Sequence, residues 1–329
     1  MLHDAFGARR HSGLRMAAAA YAAAAFALLY ASLAEGHESH RHRARDAERA
    51  GILAADDAQS RHEFAEARAQ LDRLLAADPQ DIEARLMSAN LFLLAGDFGR
   101  AQGDCRLVMA AGALHAGTVC LASTLTGPGS VDRARRMVAA LSAGKEAGVE
   151  LERWRLLTEA DLALRAGDFA AGLALHERAF ALDPSHEEAR TRLAGLLLER
   201  GEAARALALA QAPDPSPARL VVRLRAAKAL ADSDTVPSLR ELLVLLEADR
   251  SEGVPPHLRE EAQLALYVEG DAAAALRLAR LNFETQKDTP DLRVYAAAAI
   301  AAADASAVAE IRAWMRETGF EDRVVAAAL

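Results

Sequence analysis

Lysine is nearly absent: of 39 cationic residues only Lys145, Lys228 and Lys287 are lysine, which reads as a compositional bias rather than a site. Aromatic residues are scarce at 5%, with two Trp and four Tyr. Alanine, the best helix former, takes up 81 of 329 positions. Together these nearly exclude an all-β fold, which leans on aromatic and β-branched residues. A net charge of -8 argues against nucleic acid, which needs a basic face to neutralise phosphates. There are two cysteines and no Cys-x-x-Cys. Gly127-Pro128-Gly129 lacks the ending of a phosphate loop, and no Gly-x-Ser-x-Gly elbow occurs. His37-Glu38 and His62-Glu63 are each followed at the zinc-protease position by a residue other than His (Arg41 and Glu66). An enzyme is therefore not expected. Mean hydropathy of 0.00 with 52% hydrophobic residues argues against wholesale disorder.

The N-terminus carries Arg9, Arg10 and Arg15 ahead of an uncharged run from Met16 to Ala34. A basic start, an apolar stretch and small residues at Ser32 and Ala34 read as a secretory signal peptide cut after Ala34. The run is also long enough to stay uncut as a membrane anchor through residues 16–34. On either reading the remainder is expected outside the cytoplasm, in the periplasm or its equivalent, free or tethered to the inner membrane.

The rest of the chain repeats. Gly96-Asp97-Phe98 recurs as Gly167-Asp168-Phe169, then as Gly201-Glu202-Ala203 and Gly270-Asp271-Ala272. Adding His62-Glu63-Phe64 and Gly129-Ser130-Val131 gives a spacing of roughly 34 residues. The same spacing predicts two hidden turns, at Ala231–Asp234 and at Asp304. Apolar residues at three- and four-residue intervals flank each turn, so a helix is expected on either side. Gly stops the first helix, Asp caps the second, and Asp-Pro closes it at Asp78-Pro79 and Asp183-Pro184. A small residue sits five places after the turn position (Ala67, Ala101, Ala134, Gly172, Ala206, Ala275), where two helices can approach closely.

This pattern resembles the tetratricopeptide repeat family over residues from about 48 to 320. Most repeats lack the large aromatic near the start of the first helix. Repeat three carries an insertion near Ser142 to Val149, and Pro213, Pro215 and Pro217 shorten the second helix of repeat five. The resemblance implies an all-α solenoid of about eight helical hairpins in a right-handed superhelix. The expected plan is a signal or anchor over 1–34, a His/Arg-rich linker over 35–47, repeats over 48–320 and a capping segment over 321–329.

It also implies that first helices line a groove that binds a peptide or partner protein. The residues placed there are Glu83, Leu86, Asn90 and Leu93 in repeat two, Trp154, Leu157, Asp161 and Arg165 in repeat four, and Glu188, Thr191 and Leu198 in repeat five. Trp154 is read either as an exposed anchor or as a filler for the space left by the insertion. Some family members grip a C-terminal carboxylate with cations and an Asn. Asn90 matches that Asn, but Leu86 stands where a cation is needed, so a hydrophobic or mixed peptide is expected rather than an acidic tail.

Cys105 and Cys120 fall on neighbouring helices, and a disulfide or two buried thiols are both open. His37, His40 and His42 crowd the segment after Ala34. A mature chain starting Glu35-Gly36-His37 has an amine, two amides and an imidazole, the nitrogen set that square-planar Cu(II) or Ni(II) prefers. The leading expectation is an exported scaffold serving an envelope complex, with no cofactor on the repeats; the alternative is a metal-handling protein that uses those histidines.

Overall fold

The computed structural model describes residues 49–141, 148–211 and 216–329. The chain divides into two compact units, Met1–Ala54 and Ala55–Leu329. Of the first, residues 49–54 are described and are helical. The second holds the repeats.

Every regular element among the described residues is a helix. Helix α1 (49–60) precedes α2 (Phe64–Ala77), and the pairs continue as α3 (Ile82–Leu94) with α4 (Phe98–Ala110) and α5 (Leu114–Thr124) with α6 (Ser130–Ala139). Next come α7 (Gly148–Arg165) with α8 (Phe169–Leu182), α9 (Glu187–Glu199) with α10 (Ala203–Ala210), and α11 (Pro217–Ala229) with α12 (Thr235–Ser251). Helix α13 (Leu258–Gln263) runs on as a π-helical turn, Leu264–Glu269, and pairs with α14 (Ala272–Thr285). Helix α15 (Thr289–Ala301) pairs with α16 (Ala305–Thr318), and α17 (Arg323–Ala328) ends the chain. These are eight hairpins and a cap, and every turn of the 34-residue series joins the two helices of one hairpin.

The turns show why the series holds. Gly96, Gly167, Gly201 and Gly270 all adopt left-handed backbone, φ between +76° and +86°. In the three turns without this glycine, His62, Ala231 and Ala303 take the same region, at φ 60°, 50° and 52°. A side chain is disfavoured there, so the hairpin geometry overrides the local preference. The carboxylates of Asp97, Asp168, Asp271 and Asp304 each accept the backbone N–H three residues on, capping the helix behind the turn.

Packing inside a hairpin uses the small residues. Ala67, Ala101, Ala206 and Ala275 have no exposed surface. A Cβ on Gly172 would stand 2.6 Å from the Leu164 side chain, so α7 and α8 are in contact where only glycine fits. Helix α10 has eight residues, as expected from the prolines behind it.

One feature lies outside a plain stack. The last hairpin and the cap return to hairpins two, three and four. Phe98 at the start of α4 stacks on Phe320, with ring centroids 5.5 Å apart, and Trp314 sits 6.2 Å from Phe98 and 4.9 Å from Phe283. The Gly127 amide donates to the Gly319 carbonyl at 2.7 Å, and the Lys287 amide donates to the Leu94 carbonyl at 2.7 Å. The Glu321 carboxylate accepts from the Ser130 hydroxyl and the Val131 amide at the start of α6. Arg323 pairs with Asp132. A Cβ on Gly319 would fall 2.8 Å from the Gly127 nitrogen, so this contact requires glycine as well.

Candidate functional site

The closure decides which first-helix residues remain available to a partner. Arg165, at the end of α7, is 1% exposed. Its Nε donates to the Glu321 carbonyl at 3.0 Å, and its guanidinium lies 4.2 Å above the Phe320 ring. Leu157 is buried among Leu156, Ala160 and Leu175. Leu93 is half-buried against the cluster formed by Phe283, Phe98 and Phe320. Placing Arg165, Leu157 and Leu93 on an open groove is therefore corrected: α7 is covered on both sides, and the chain's own C-terminus occupies the space beside α3.

The other expected groove residues divide. Glu83 is exposed, and Asn90 is half-buried. Leu86 and Trp154 pack against the cluster of Ala89, Cys105 and Cys120. Those two cysteines are joined as a disulfide, Cα to Cα 5.4 Å. Leu198 packs beside Leu193, Leu197 and Leu207. The Thr191 hydroxyl reaches the Glu187 carboxylate at 3.3 Å, and Glu188 pairs with Arg192 at 2.9 Å. His37, His40 and His42 and the run 16–34 lie outside the described residues. Among the described residues no group of three or more His, Cys, Asp and Glu side chains could hold a metal, and no helix is long and apolar enough to cross a membrane.

Charged side chains from four first helices meet around Asp161, one of the expected groove residues. Asp161 on α7, Arg192 on α9, Arg259 on α13, and Asp288, Asp291 and Arg293 at the head of α15 interact across the hairpins. Thr289 Oγ1 donates to Asp161 at 3.3 Å. Arg259 lies 3.4 Å from Asp291 and 3.8 Å from Asp288, and Arg293 donates to Asp322 at 3.1 Å. Arg192, Asp161, Arg259 and Asp288 keep 36%, 26%, 25% and 20% of their side-chain surface exposed. Each is nevertheless surrounded by protein closely enough for desolvation to lead its titration. These side chains are thus enclosed by protein yet keep part of their surface in solvent.

The electrostatics stem from that position. Desolvation raises the Asp161 carboxyl above its usual range, against the pull of Arg165 and Arg192. Desolvation also works against the charge on Arg192, but Glu188, Asp161 and Asp288 outweigh it and hold the cation more firmly. Asp291 is pushed well up, first by burial and then by the Asp288 charge, while Asn282 donates to it at 2.8 Å. Arg259 is the shared counter-ion of this pair. The cluster is thus a mosaic of opposite charges drawn from four hairpins. The repeat register reached Asp161 but not Arg192, Arg259, Asp288, Asp291 or Arg293, because these come from hairpins whose neighbourhood depends on stacking.

Residues 163–230, from the end of α7 through the end of α11, match the tetratricopeptide repeat family model. Over that stretch the chain carries tetratricopeptide repeats. Tetratricopeptide hairpins are a scaffold for protein–protein interaction. Similar solved structures include PilW, a type IV pilus biogenesis factor, at 17% identity over 61% of this chain and 92% of that one, TM-score 0.43. PilF of Pseudomonas aeruginosa is 17% identical over 72% of this chain and 98% of that one, TM-score 0.44. A tetratricopeptide repeat protein from Parabacteroides merdae is 13% identical over 86% and 98%, TM-score 0.39. No curated protein matches in sequence.

Proposed function

We propose that this chain is an exported, non-enzymatic scaffold that holds a segment of a partner protein against its charged concave wall, in the service of an envelope complex. The observation that carries the reading is the cross-hairpin mosaic of Asp161, Arg192, Arg259 and Asp288, with Glu188 exposed beside it. Matched charges with surface to spare suit an extended segment of mixed charge, which can exchange one partner of each pair without leaving a buried ion unpaired. The apolar residues expected to grip a hydrophobic peptide are engaged in packing, so the partner favoured is more polar than the sequence suggested. Export rests on the basic, then apolar, N-terminal segment.

The test is site-specific photo-crosslinking in the producing cell, with the probe at position 188 or at exposed position 208 on α10. The expected result is a discrete adduct from position 188 only, lost on Arg192→Glu. Equal labelling from both positions would contradict the reading. Amino-terminal sequencing of the same material tests export, with a start at Glu35 expected.

The second reading, Cu(II) or Ni(II) handling by His37, His40 and His42, is supported by the nitrogen set that this start would expose. Metal titration of the mature protein, with and without His37→Ala, separates it from the scaffold reading.

A further inference from the structure

In hairpins two, three, four, five and seven the second helix is covered by the first helix of the next hairpin; in hairpin six, although another hairpin follows, it is not. Helices α4, α6, α8, α10 and α14 each pack between the first helix of their own hairpin and that of the next. Helix α12 packs substantially only on α11, because α13 and its π-turn also settle on α11. The loop between α12 and α13, Glu252 to His257, includes Pro255-Pro256. Besides the core cluster that Leu242 and Leu246 share with Leu264, two polar contacts join α12 to the start of hairpin seven, His257 to Asp249 at 3.0 Å and Arg250 to Glu261 at 4.0 Å.

The inner face of α12 is a normal core face. Leu242 and Leu246 are buried with Leu220, Val221, Leu224 and Leu264. The outer face is also apolar. Val236 and Val244 are 65% exposed and Leu243 is 51% exposed. An amphipathic surface helix ordinarily turns a polar stripe to water, so this face is atypical. It carries two charges a helical repeat apart, Arg240 and Glu247. Among the described residues Arg240 pairs with no carboxylate, and Glu247 pairs only with its own neighbour Arg250.

We propose that this face is the seam of a homodimer, in which α12 of two copies packs antiparallel about a two-fold axis between Leu243 and Val244. The argument is self-complementarity. The axis sets Leu243 against Val244 of the partner subunit, and in the same register it sets Arg240 against Glu247 of the partner subunit, twice. An isologous contact requires one patch to satisfy itself in this way, and a contact with an unrelated protein does not. A parallel pairing would oppose like charges. One face of a four- to five-turn helix falls short of the roughly 800 Å² per partner of a standard interface. The dimer is therefore reversible, forms at micromolar concentration and weakens as salt screens the exposed pairs.

The experiment is sedimentation of the purified full chain from low to high micromolar concentration, with helicity checked by circular dichroism. The wild type is expected to shift from monomer to dimer. Arg240→Glu and Glu247→Arg are each expected to stay monomeric at concentrations where the wild type is dimeric. Mixing those two variants is expected to restore the dimer, since every cross-seam pair is then again of opposite sign. Val244→Asp is expected to abolish it. A chain monomeric throughout, a dimer indifferent to Arg240→Glu (as for an interface elsewhere, including the 16–34 run), or a mixture that stays monomeric overturns the proposal.

Discussion

Hairpins four and six are built on the same repeat and end in opposite surroundings. In hairpin four, α7 and α8 touch through Gly172, α8 is flanked by α9, and the far side of α7 receives Phe320 and Glu321 from the end of the chain. In hairpin six, α12 leans on α11 and leaves Val236, Leu243 and Val244 in solvent. Hairpin six also has a longer turn, in which the Asp234 carboxylate is taken by Arg223 at 2.6 and 2.7 Å instead of capping its helix. A repeat fixes how two helices pair. What covers the pair depends on how neighbours accumulate, and the same local pattern can yield a core or a surface.

That contrast can be broken at several points. Phe320→Ala removes the ring that joins the end of the chain to Phe98 and Arg165. It should cost about 3–5 kcal/mol, a typical loss for a buried Phe, whereas Leu243→Ala on the outer face of α12 should stay within about 0.5 kcal/mol. Denaturant melts below the concentration of any self-association compare the two directly. Reducing Cys105–Cys120, which are 15 residues apart, should cost about 3 kcal/mol and lower the melting temperature by several degrees. Hairpin six has no such brace.

Hairpin four also carries a pH dependence. Burial, with a smaller push from Arg192, brings the His176 imidazole down to about 3 from 6.5. Between those values the unfolded chain binds the proton more readily than the folded one. Stability is therefore full above 6.5 and declines as pH falls toward the folded value, by about 2 kcal/mol at pH 5. His176→Gln should flatten melting temperature against pH over that window. The smallest effect belongs to the left-handed turn of hairpin six. Ala231→Gly should leave stability level or raise it by up to about 1 kcal/mol, because relief of φ 50° is set against glycine's greater freedom in the unfolded chain. Gly201→Ala, at φ 85°, should lose a comparable amount.

Much of the architecture was legible in the sequence, because it is local. Gly-Asp-Phe turns, Asp caps and Ala at the crossing fix each hairpin within 34 residues, and even the turns at Ala231 and Ala303 were reachable by counting. The closure was not legible. Gly127, Leu94 and Arg165 meet residues near the end of the chain only after several hairpins have each added a rotation that no single repeat encodes. For the same reason three of the residues expected to line an open groove are covered instead. Leu157, Arg165 and Leu93 follow the family register, yet they face helices that the register cannot foresee. Of the charged wall, the register picked out Asp161 and Glu188, whereas Arg192, Arg259 and Asp288 look like ordinary solvated residues until their hairpins are brought together.

The return of the last hairpin onto the early ones is tested most directly by amide hydrogen exchange at Gly127 and Lys287. Both amides sit in loops that an open stack would leave to solvent, and both donate to distant carbonyls here, at 2.7 Å. The expected result is slow exchange at both positions in the full chain, accelerated together by Phe320→Ala while amides inside α8 and α9 stay protected. Exchange at the rate of a free loop in the unmodified chain would show that the ends do not meet.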